Sequence, residues 1–130
     1  MTTDPATSPI HEGYLPAIRL INTVNQLCSF ETGSIPLGKH LDATHFFTKT
    51  DVSYEHLTHP APRRQYVITL KGKLKFRVSN GDTFILEPGV ILIAADTLGE
   101  GHSWELIGNP EWIRVYIPLA DASDDYFIAD

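Results

Sequence analysis

The pentapeptide LKFRV at residues 74–78 alternates without a break. Leu74, Phe76 and Val78 fall on one side, Lys75 and Arg77 on the other. A period of two places successive side chains on opposite faces of a strand, and no helix can present that pattern as one apolar stripe. Asn80-Gly81 follows at once. That pair favours a tight hairpin, because both central residues of a type I′ turn need positive φ. The residues TFIL (83–86) supply the return strand. Further β-rich runs are AIRLINTV (17–24), THFFTKT (44–50), QYVITL (65–70), VILIA (90–94), residues 102–107 and residues 112–117. Pro88-Gly89 turns the chain before VILIA. No helical period survives beyond two turns. Short strands punctuated at roughly 8 to 12 residue intervals predict an all-β sandwich or barrel.

Length and charge narrow the rest. A chain of 130 residues holds one core and not two. The formal net charge of -6 argues against nucleic acid, since proteins that grip phosphate backbones cluster positive charge. Lys71, Lys73, Lys75 and Arg77 are read as the solvent face of the hairpin, where lysine discourages edge pairing. The single cysteine, Cys28, excludes an internal disulfide and is read as a packed residue. His11, His40 and His45 are read as surface or loop residues. No run approaches the roughly 18 apolar residues of a membrane helix, and MTTDPATSPI has no basic start or apolar stretch. The expectation is a cytoplasmic protein with no membrane partner. Residues 1–13 are expected to be a disordered or loosely docked arm, 14–120 one domain, and 121–130 an acidic, solvated tail, with Tyr126, Phe127 and Ile128 available to anchor it.

HPAPRRQYVITLKG (59–72) and DTLGEGH (96–102) bring in a family. Gln65, six residues and Gly72 are similar to the end of the first cupin motif, where a glutamate stands in place of Gln65. Gly81, Pro88-Gly89 and His102 are similar to the second motif. The APRRQ-type run with D-T-x-G-x-G-H resembles a group of small single-domain bacterial cupins, over residues 44–118. The resemblance implies a cupin double-stranded β-helix, a jelly-roll barrel enclosing a ligand cavity.

It also implies a site. His59 matches the first metal-binding histidine, Ala61 falls where the second would stand, Gln65 replaces the glutamate, and His102 matches the last ligand. A divalent metal at His59, Gln65 and His102 is one expectation. A metal-free polar cluster, or direct binding of substrate, is the other, because an amide offers one neutral oxygen where a carboxylate offers charge. His56 would reach the site only through a bend. Arg63 shares the strand parity of Gln65 and is read either as a clamp for an anionic group or as a salt-bridge partner of Glu87 or Glu105. Tyr66, of opposite parity, is expected to face outward. Trp104 shares the parity of His102, as pocket wall or core. The functional expectation is a cupin-type isomerase, lyase or dioxygenase-like enzyme acting on a small polar or anionic compound, with His59 and His102 catalytic and Arg63, Gln65 and Trp104 binding substrate. The alternative is a metal-free cupin that binds a small molecule without catalysis. AIRLINTV, apolar and outside both motifs, suggests a homodimer paired through that segment.

Overall fold

The computed structural model describes residues 13–50, 57–108 and 111–130. Its strands are β1 (Tyr14–Asn22), β2 (Cys28–Pro36), β3 (Phe47–Lys49), β4 (Gln65–Lys71), β5 (Leu74–Arg77), β6 (Thr83–Leu86), β7 (Ile91–Ala94), β8 (Ser103–Leu106), β9 (Ile113–Pro118) and β10 (Ile128–Ala129). The one helical element among the described residues is a single 3₁₀ turn, Val24–Gln26, between β1 and β2. The arm at residues 1–12 and His56 lie outside the described residues.

Two sheets form. The larger has the order β10-β2-β1-β7-β4-β9-β3, the smaller β6-β5-β8. The larger sheet is mixed, because β1 runs parallel to β7 from Ala17↔Ile91 to Leu20↔Ala94 while its other pairs are antiparallel. The hairpin read from LKFRV and Asn80-Gly81 is present, with Leu74 opposite Leu86 and Arg77 opposite Thr83.

The expected closed jelly-roll barrel is not formed. Among the described residues the larger sheet stops at β10 and β3, and the smaller stops at β6 and β8. Closure needs a continuous ladder from sheet to sheet. The links observed are one isolated antiparallel bridge, His59 with His102, and a single hydrogen bond from Ser79 N to Cys28 O at the start of β2. The fold is therefore a pair of open sheets, one laid on the other. Both hydrogen-bonding edges of β1 are filled by β2 and β7 of its own chain, so the segment that suggested a homodimer is already paired.

Alternation along the central strands builds two apolar layers. Between the sheets, Leu20, Val67 and Leu92 meet Leu74, Phe76, Leu86, Trp104 and Trp112. On the far face of the large sheet, Ala17, Ile35, Tyr66, Ile93 and Leu119 make a second cluster, covered by Tyr126 and Phe127. Tyr66 does leave the inter-sheet side, as parity predicts, but it is buried under the C-terminal segment.

That segment is held by charge as well as contact. Arg19 Nη1 donates to Asp125 Oδ2 at 3.0 Å, and Arg19 also pairs with Glu31. The Tyr66 hydroxyl donates to the Asp125 carbonyl at 2.6 Å, and burial, reinforced by Asp125, pushes its pKa up to about 12. Phe127 N donates to Asp125 Oδ1, and the Arg19 guanidinium lies 4.6 Å from the Phe127 ring centre. Asp125→Ala should lower stability by roughly 1.5–3 kcal/mol, the range for hydrogen bonds to charged groups. Exposed Asp121→Ala should change it little. Urea unfolding of both variants checks this, and equal midpoints would mean that Asp125 does not anchor the segment.

Candidate functional site

The site is assembled around the inter-sheet bridge. His59 N donates to His102 O at 2.9 Å, and His102 N returns to His59 O at 3.0 Å. The exchange sets the two imidazoles side by side, ring centres 4.9 Å apart. The residue before His102 must be glycine. Gly101 has φ +77, and a Cβ there would run into the His59 carbonyl. Gly99, two residues earlier, is confined in the same way by the Gln26 carbonyl.

The loop between β7 and β8 is pinned from two further sides. The Asn22 side chain clamps Leu98, donating to its carbonyl at 2.9 Å and accepting from its amide at 3.0 Å. Ala61 N donates to Asp96 O at 3.0 Å. These contacts turn Asp96 back on His102, six residues later. Asp96 Oδ2 lies 2.5 Å from His102 Nδ1 and 3.3 Å from Cys28 Sγ. Asp96 is fully buried, and its Oδ1 has no hydrogen-bond partner among the described residues. Cys28, Asp96 and His102 are a group that could hold a metal ion, with ligand atoms within 4.8 Å of one another and all three residues buried. Burial first, then the Asp96 charge, pushes the Cys28 thiol pKa far up, so without a cation this cysteine is a thiol.

On the other side of the His102 ring is a cleft of about 340 Å³ between the sheets. His59, Arg63, Gln65, His102 and Trp104 all line it, together with Lys49, Phe76, Trp112 and Tyr116. Its aromatic side is closely packed. The Trp104 and Trp112 rings meet edge to face at 4.8 Å, and Trp112 Nε1 donates to Thr69 Oγ1 at 3.1 Å. Behind them the fully buried Arg114 guanidinium sits 4.1 Å from the Trp112 ring centre and donates to Trp112 O. At the rim, Arg63 Nη1 donates to Gln65 Oε1 at 3.3 Å. Glu87 and Glu105 do not pair with Arg63. A guanidinium has no acceptor, so this contact fixes the amide with its oxygen toward Arg63 and its NH₂ the other way.

Each histidine has one ring nitrogen engaged. His59 Nδ1 lies 2.9 Å from Leu57 O, a contact in which the ring must donate. His102 Nδ1 faces Asp96. No hydrogen bond reaches the Nε2 of either ring among the described residues. Burial lowers the His59 pKa, and the neighbouring His102 adds to that, outweighing the Leu57 hydrogen bond.

No family model, curated protein or solved structure matches this chain. The cupin resemblance is therefore not supported by similarity, nor by the sheets, which do not close. With the barrel goes the cupin-type enzyme acting in a barrel pocket, and with it the metal-free cupin set as the alternative. What the sequence reading missed is Asp96 and Cys28. Asp96 stands in the DTLGEGH run, and an acid six residues before a histidine, across two glycines, is a usable signal. Nothing near Cys28 in sequence points to either partner.

The His59 shift has a sign that can be read. Folding lowers its pKa, so as pH drops through the ordinary value of 6.5 the unfolded chain takes up the proton first and stability falls. Between about pH 7.5 and about pH 5, the wild type should lose more stability than His59→Gln. Thermal melts across that window check it, and parallel slopes would remove His59 from the account.

Proposed function

We propose that the inter-sheet cleft binds a small organic anion with a flat or aromatic body. The observation that carries this reading is the polarity of the lining. Among the described residues, Arg63 sets a guanidinium at its rim and no aspartate or glutamate lines it. A carboxylate placed at the rim meets the Arg63 guanidinium, a bidentate donor, and the Gln65 NH₂ that Arg63 itself turns into the cleft. In this reading Gln65 is a donor to the ligand. As a metal ligand it would share one amide oxygen between a divalent metal ion and a guanidinium, two cations on one neutral group.

The body of the ligand lies against Trp104, Trp112, Tyr116 and Phe76, which offer ring faces and edges. His59 and His102 line it too, and a free imidazole nitrogen can exchange a hydrogen bond with a polar group of the ligand. Small-molecule pockets combine such an apolar wall with a few placed polar groups. No helix among the described residues is long and apolar enough to cross a membrane.

Calorimetric titration with a panel of aryl and alkyl carboxylates, each beside its neutral amide, tests this. The carboxylates should bind and the amides should not. Arg63→Ala should weaken the carboxylates by tenfold or more, in line with the roughly 1.5–3 kcal/mol of a charge-assisted hydrogen bond. Tryptophan fluorescence should report the same titration. Equal binding of amide and acid, no effect of Arg63→Ala, or no binding across the panel would overturn the proposal.

A further inference from the structure

We propose that Cys28, Asp96 and His102 form a binding site for a divalent transition ion of zinc-like character, which shares His102 with the anion cleft and takes its other two ligands, Cys28 and Asp96, from outside the cleft lining. Thiolate, imidazole and carboxylate together are a borderline-soft donor set. They suit zinc or cobalt and not magnesium or calcium, which take oxygen. Three ligands and one open position are a common count for such an ion.

Two observations carry it. The first is convergence: three donor atoms from two distant segments, the start of β2 and the loop between β7 and β8, lie within 4.8 Å of one another, all buried. Each ligand is anchored by its own backbone. Cys28 N donates to Ser79 Oγ at 2.7 Å, Asp96 O receives Ala61 N, and His102 is bridged to His59. The second is the state of the carboxylate. Cys28 Sγ and His102 Nδ1 both converge on Oδ2, while Oδ1, in a residue with 0% exposure, has no partner among the described residues. A completed hydrogen-bond network would divide two donors between two oxygens. A cation at this point engages the carboxylate that the protein leaves half satisfied.

Loading changes little but side chains. The Cys28 proton leaves for solvent, and His102 adopts the tautomer with its hydrogen on Nε2. An ion with ligand distances of roughly 2.0–2.3 Å sets its donors farther apart than the present Nδ1–Oδ2 contact, so the His102 ring swings off the carboxylate while the backbone bridge stays.

The test uses the full chain, stripped with a chelator and titrated with cobalt(II), then zinc(II). One cobalt should bind, with the near-ultraviolet thiolate-to-cobalt charge-transfer band that only a cysteine ligand produces. Zinc should displace it. Cys28→Ser should lose the band and weaken binding by about tenfold or more. Should that variant fail to fold, the wild type still decides the matter, because Cys28 is the only cysteine. Zinc should slow its reaction with a thiol reagent under mild denaturant. Cobalt binding without the charge-transfer band would place the ion in the cleft on His59 and His102 and overturn the proposal. So would an absence of binding, or thiol reactivity that zinc leaves unchanged.

Discussion

A carboxylate with no exposure to solvent, Asp96, is the constraint around which this molecule is arranged. Burying a charge without partners costs far more than any single contact returns. The fold meets that cost by bringing two distant segments to one residue, the start of β2 through Cys28 and the approach to β4 through the Ala61 amide, and by turning the end of its own loop back on it through His102. The inter-sheet bridge, the positive φ of Gly101 and the Asn22 clamp on Leu98 all serve the loop that carries Asp96. Packing follows the same geometry. The His102 ring stacks on Phe76 at 5.6 Å, which ties the carboxylate to the apolar layer between the sheets.

Local pattern is legible where local physics decides. LKFRV with Asn80-Gly81 predicts the β5–β6 hairpin, and VILIA predicts the buried β7. The strand β2 is not legible. CSFETGSIP mixes serines, a threonine, a glycine and a proline without clean alternation, and its strand character comes from a nine-residue register with β1. The closed barrel fails for a related reason. Motif spacing speaks of turns and strand order, whereas closure depends on ladders between edges, and among the described residues the edges of β3 and β10 have no counterpart to meet. Composition gives the four C-terminal aspartates the same reading, yet Asp125 meets Arg19 across 106 positions of chain.

The site is half legible for the same cause. His59, Arg63, Gln65, His102 and Trp104 follow from strand parity and motif, and they line one cleft. Parity cannot say what stands behind a side chain. Asp96 and Cys28 lie on the far side of the His102 ring, and their meeting depends on contacts that span 68 residues. Gln65 illustrates the converse. Judged as a substituted carboxylate it is a weakened metal ligand; with Arg63 against its oxygen it is an amide whose orientation is set.

The parallel pairing of β1 with β7 has a consequence for how the chain reaches this state. Ala17 must find Ile91 before β1 can stand between β2 and the rest of the sheet. Closing so long a loop carries an entropic penalty that is met before any contact rewards it, so topologies of this kind fold slowly. The strand that brings Cys28 into place is attached to the sheet only through β1 on one side and β10 on the other. The Cys28 thiol lies against Asp96, 68 residues on, so its burial depends on long-range pairing and not on the β1–β2 hairpin alone.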